Sequence, residues 1–143
     1  MRFMVIVKVS EGSENEVLMP SDQFMADMDK FNDELLAAGV LSGYDGLHPS
    51  SKGARVHLSG KNCTVTDGPF AESKEVIASF WFWQVKSLAE AIEWVKRCPN
   101  EGEADIEIRQ VFEPEEFASA FTDEEIQKEK NFRARMAANA AKK

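Results

Sequence analysis

Asp67 stands directly before a Gly-Pro pair, within Thr66-Asp67-Gly68-Pro69-Phe70-Ala71-Glu72-Ser73-Lys74-Glu75. That stretch puts a carboxylate, a tight turn, an aromatic ring and further charges close together. An aspartate before Gly-Pro accepts backbone N–H groups and holds a turn. Facing a cleft among Trp and Phe side chains, the same carboxylate is pushed toward neutral titration by desolvation and works as a general base. His48, ahead of Pro49 in a loop, is a second group able to move a proton near neutral pH. Asp67 and His48 are therefore the candidate catalytic pair, with a turn aspartate and an exposed loop histidine as the alternatives.

The candidate ligand-binding groups surround them. Arg55 and His57 alternate onto one strand face and could hold an anion, or could simply face solvent. Phe70, Glu72 and Lys74 combine an apolar wall with polar groups, as pocket rims do, although a solvated charge run has the same composition. Trp81 and Trp83 share a strand face and offer flat surfaces with indole N–H donors. They read either as a platform for a flat ligand or as the core of an interface. Arg109 binds a ligand or pairs with Glu107. With two histidines, no clustered cysteines and no spaced carboxylate loop, no metal site is expected. Neither a glycine-rich phosphate loop nor a dinucleotide fingerprint occurs, so no cofactor is expected, and there is no Ser elbow for acyl transfer.

These residues have to be positioned by a recognisable set of elements. Residues 2–9 alternate Phe3, Val5, Val7 and Val9 against Met4 and Ile6, a central strand apolar on both faces. Pro20-Ser21-Asp22 then caps a helix whose stripe is Phe24, Met28, Phe31, Leu35 and Ala38, with Gly39 as the stop. Residues 40–47 read as a short strand, and residues 53–59 and 63–66 as a hairpin around Gly60-Lys61-Asn62. Residues 76–85 give the strongest strand pattern, with Ile77, Ser79, Trp81 and Trp83 on one side and Ala78, Phe80 and Phe82 on the other. Ser87-Leu88-Ala89-Glu90 is a capping box for a second helix that stops at Cys98-Pro99. Residues 105–112 form the last strand. Setting the hairpin aside, the order is strand, helix, strand, strand, helix, strand, that of a ferredoxin-like α+β unit.

Two helices cover one face of such a sheet, yet Met4, Ile6 and one side of the 76–85 strand are apolar on the other. An exposed patch of that kind points to a second subunit, so a homodimer with a shared barrel-like interior is expected. Thr122-Asp123-Glu124-Glu125 is a further capping box that starts a peripheral C-terminal helix, giving a domain at 1–117 and a helical extension at 118–143.

Composition narrows the partners. The chain has 143 residues, 43% hydrophobic and 29% charged, and no apolar run approaches a bilayer span. Membrane insertion is not expected. The first residues contain Lys8 within the apolar stretch and read as a strand, not a signal peptide. Cys63 and Cys98 form no Cys-x-x-Cys motif and are expected as reduced thiols in the cytoplasm. A net charge of −8 opposes phosphate binding, so no nucleic-acid partner is expected. The tail from Thr122 is net +2, which leaves −10 for the remainder.

Leu47-His48-Pro49, Ala54-Arg55-Val56, the stretch Val65 to Glu75, Arg97-Cys98-Pro99 and Ile106-Glu107-Ile108-Arg109 occur in the order seen in DGPF-domain proteins of the YCII-related family. The chain resembles that group from Met1 to about Phe117. The resemblance implies a ferredoxin-like fold that dimerises into an α+β barrel, and it carries no settled activity. Wider relatives place a histidine near the start of the first helix, paired with an aspartate at the cleft. This chain has no histidine there. The expectation is a protein that binds a small molecule in a barrel cleft, either as a cofactor-independent acid/base enzyme or as a non-catalytic dimeric ligand-sensing module.

Overall fold

The computed structural model describes residues 1–10, 13, 19–70, 75–117 and 119–141. It divides into two compact units, Met1–Gln110 and Val111–Lys143. The first holds strands β1 (Arg2–Val9), β2 (Leu41–Gly46), β3 (Ala54–Ser59), β4 (Asn62–Asp67), β5 (Val76–Gln84) and β6 (Asp105–Gln110), with helices α1 (Asp22–Ala37) and α2 (Leu88–Val95). The second holds a 3-10 turn at Pro114–Phe117 and helix α3 (Asp123–Ala140).

The main sheet is four-stranded and antiparallel in the order β2-β5-β1-β6. It is open, with β2 and β6 as its edges. A mixed α+β architecture with antiparallel strands is thus what the alternating patterns encode. On one face, Phe3, Val5, Trp81 and Trp83 pack with Phe31 and Leu35 of α1 and Ala91 of α2, all buried. Trp83 and Leu35 have no exposed surface, and the Phe31 ring meets Trp83 edge-on with centroids 6.4 Å apart. Read in the sequence as either a ligand platform or an interface core, Trp81 and Trp83 lie within the core of their own chain. The reason is register: Phe3 is opposite Trp83 and Val5 opposite Trp81, so these four share the helix-covered face.

The other face carries Met4 opposite Phe82 and Ile6 opposite Phe80, with the two phenyl rings edge-to-face at 5.8 Å. One expectation fails here. Ile77 does not continue the Trp81 and Trp83 face; it is 46% exposed while Val76 is buried. Ser79 pairs with Val7 but Ile77 pairs with Lys8, leaving Ala78 as an extra residue on β5. The extra residue shifts the alternation by one, so Val76 and Ile77 are out of phase with Ser79 to Gln84.

The helix ends follow their sequence signals. Ser21 Oγ accepts the Phe24 N–H at 3.1 Å. At the other end Gly39 takes φ +69°, with Gly39 N–H donating to Leu36 and Val40 N–H to Leu35, the paired bonds of a glycine C-terminal stop. For α2, Ser87 Oγ accepts the Glu90 N–H, while the Glu90 carboxylate accepts the N–H of Lys86 rather than that of Ser87. The reciprocal box is complete at α3, where Thr122 and Glu125 cap each other. In the second unit Lys130 reaches Glu115 at 2.6 Å, so the 3-10 turn belongs with the tail helix.

Candidate functional site

The hairpin β3–β4 is a separate two-stranded sheet, and every residue on both strands is exposed. Its tight turn places Gly60 at φ +59°, the position where a primed turn needs glycine. Arg55 is opposite Thr66 and His57 opposite Thr64, so Arg55 and His57 share one face as expected. The other face carries Val56, Leu58 and Val65, with Leu58 73% exposed.

Asp67 ends β4 opposite Ala54. The following turn folds onto residues 50–53: Gly68 N–H donates to the Gly53 carbonyl at 3.0 Å, and the Gly68–Pro69 peptide is cis. A Cβ on Gly68 would fall 1.7 Å from the Ser50 carbonyl oxygen, so only glycine permits this approach. Phe70 lies beneath the Arg55 guanidinium, 4.2 Å from the ring centroid. His48 is exposed in the connection between β2 and the 3-10 turn Ser50–Lys52. Glu72 and Lys74 lie outside the described residues. The exposed Arg109 sits 3.8 Å from Glu107. Glu107 in turn shares the Lys8 ammonium with Glu75, at 3.0 and 2.9 Å. Hydrogen bonds from Lys8 hold the Glu107 carboxyl below the usual carboxylate range and raise the Lys8 ammonium.

A concavity forms elsewhere in the first unit, a cavity of about 910 Å³ at the C-terminal end of β1. One wall is the first half of α1, where the helical repeat brings Phe24, Met25, Met28, Asp29 and Asn32 to the same side. The floor is sheet, with Val7, Tyr44, Trp81 and Ile106. The third side is the connection from α2 to β6, including Cys98, Glu101 and Glu103. Tyr44 of β2 is directly opposite Trp81 of β5. The Trp81 indole donates to Asn32 Oδ1 at 3.1 Å, fixing α1 to the floor. Across the mouth, the Glu101 carboxylate accepts the Ser21 N–H at 3.0 Å, which ties the α2–β6 connection to the α1 N-terminus. Bonds from Ser21 hold the Glu101 carboxyl below its ordinary value. Burial pushes the Cys98 thiol up to about 11, so it is protonated and weakly nucleophilic at neutral pH.

Of the residues expected to hold ligand, Trp81 lines this cavity, while Trp83 lies behind it in the core. Asp67, His48, Arg55, His57, Phe70 and Arg109 are not among the residues that line it. Sequence reasoning missed Phe24, Met28, Asp29, Asn32 and Tyr44. The α1 stripe did mark Phe24 and Met28 as inward-facing, but no local signal separates a residue facing a cavity from one facing a filled core. Among the described residues no group of acids, histidines and cysteines is arranged to hold a metal ion, and no helix is long and apolar enough to cross a membrane.

Comparison with known proteins gives a family for the chain. An uncharacterized protein of Rhizobium meliloti (strain 1021) is 30% identical over 79 residues, 55% of this chain and 64% of that protein. The chain therefore spans somewhat less than two thirds of that relative. Residues 1–115 match the YCII-related domain, a match that covers the whole sheet, both helices of the first unit and every wall of the cavity, and the chain belongs to the YCII-related family.

Proposed function

We propose that this protein binds a small organic molecule in the cavity between α1, the sheet and the α2–β6 connection. The observation that carries the reading is the cavity itself. At about 910 Å³ it lies at the upper end of the usual range for small-molecule sites, and it combines the apolar side chains of Phe24, Met28 and Ile106 with convergent polar groups. Binding without turnover is the favoured role. The two residues expected to move protons, Asp67 and His48, do not line the cavity, and the thiol that does, Cys98, is held protonated. The cofactor-independent enzyme reading would have to use the cavity carboxylates instead.

The finer identity belongs to the same proposal: a DGPF-type member with a ferredoxin-like fold, supported by the strand order β2-β5-β1-β6 and by Asp67-Gly68-Pro69-Phe70. Self-association into a homodimer is supported by the apolar residues Met4, Ile6, Phe80 and Phe82 on the sheet face away from the helices. A metabolite screen by thermal shift tests the binding role. Stabilisation by at least one compound class, followed by its unchanged recovery, supports a sensor; recovery of a product makes the protein an enzyme. Sedimentation at micromolar concentration tests the dimer, and a stable monomer would remove it.

A further inference from the structure

The described residues lining the cavity include Asp29, Asp45, Glu101 and Glu103, and no Lys, Arg or His. Glu101 is already engaged with Ser21. By register Asp45 is opposite Phe80 and shares its face, turned from the helices. Among the described residues Asp29 and Glu103 have no hydrogen-bonded or ionic side-chain partner, although ion pairs are frequent elsewhere on the chain, at Lys8, Lys96, Arg97 and Arg133 among others. An apolar cavity whose charged groups are all of one sign focuses that potential onto whatever enters it. An anionic ligand would meet the two uncompensated carboxylates of Asp29 and Glu103 there. A cation would meet them as partners.

Aromatic rings accompany the carboxylates. Tyr44 is 59% exposed and directly opposite Trp81, and Phe24 stands on the facing helix wall. Ring faces and carboxylates together recognise a positively charged nitrogen joined to an apolar body, through cation–π attraction and ion pairing. We infer that the cavity selects organic cations, amines with an apolar or aromatic body, over anions and neutral molecules of the same shape. This inference rests on the reading of the cavity as a ligand site and adds the charge of the ligand to it.

Three probes with one ring and one chain length test it: tryptamine as the ammonium, tryptophol as the neutral alcohol and indole-3-propionate as the carboxylate. Each is titrated calorimetrically into the full chain at low ionic strength, with the Asp29→Asn/Glu103→Gln variant in parallel. The expected result is that tryptamine binds about tenfold more tightly than tryptophol, that indole-3-propionate binds more weakly still, and that added salt narrows the gap, as for charges at a solvent-accessible rim. The double variant should bring tryptamine close to tryptophol while its melting temperature stays near that of the parent. Equal binding of all three probes, or a preference that survives the double substitution, overturns the charge selectivity and leaves the cavity reading intact. Failure of all three to bind at millimolar concentration overturns both.

Discussion

The Trp81 indole N–H donates to Asn32 Oδ1 at 3.1 Å, and this bond joins the central strand to the first helix at the cavity wall. Trp81 is only 5% exposed, so the donor has little access to water if Asn32 is lost. Asn32→Leu should therefore cost about 1–3 kcal/mol in urea unfolding, the penalty for a buried unpaired donor. Unchanged stability would mean that the bond does not hold α1 in place.

Trp83 behaves oppositely. Its indole nitrogen is buried without a hydrogen-bond partner among the described residues, and its ring contacts Phe31. Trp83→Phe should stay within about 1.5 kcal/mol of the parent, because the smaller ring removes an unsatisfied donor along with some packing. Trp83→Ala should cost about 3–5 kcal/mol through the cavity it leaves. A large loss in the phenylalanine variant would show that the indole N–H is satisfied after all.

The contrast between these two tryptophans also shows what could be read in advance. Alternation along 76–85 placed Trp81 and Trp83 on one face, and the periodicity of α1 named Phe31 and Leu35 as core. Capping residues located the starts of all three helices, because caps act within a few residues of chain. The Ala78 bulge was not legible, since one extra residue in a strand is defined only by its partner's register. Nor was the cavity. Its walls come from α1, all four strands of the main sheet and the 98–104 connection, brought together by packing that no single window of sequence expresses. Asp67 drew attention because its motif is local, and the structure shows that the motif's glycine answers to an equally local demand, the approach to Ser50.

That demand can be tested directly. Gly68→Ala puts a methyl group where the Ser50 carbonyl now lies, 1.7 Å away. The turn should open at a cost on the order of 1–3 kcal/mol. Because β3 and β4 form their own exposed sheet, hydrogen exchange should accelerate at the Gly68 amide while amides of β1 and β5 keep their protection. Uniform loss of protection would tie the hairpin to the main core.

Cys98 gives a pH dependence. Burial raises the folded thiol to about 11 from an ordinary value of 9.0, so the protonated form favours the folded state. Its contribution is complete below pH 9.0 and declines as pH rises toward about 11, since the unfolded thiol ionises first. Alkylation by iodoacetamide at pH 8 should modify the exposed Cys63 well before Cys98. Equal rates would show the 98–104 connection to be open.

The central claim is that ligand enters the cavity beside Trp81, not the surface around Asp67 and His57. The chain has three tryptophans, and each gives its own indole resonance in nitrogen-15 labelled protein. Trp81 lines the cavity, Trp83 is enclosed in the core, and Trp94 on α2 lies under the Arg97 guanidinium. Titration with unlabelled tryptamine or tryptophol should shift the Trp81 indole signal together with the Asn32 side-chain amide and the Met25 and Met28 methyl groups, leaving Trp94 in place. Shifts confined to His57, Thr66 and Asp67, with Trp81 unmoved, would contradict the account and return the site to the hairpin.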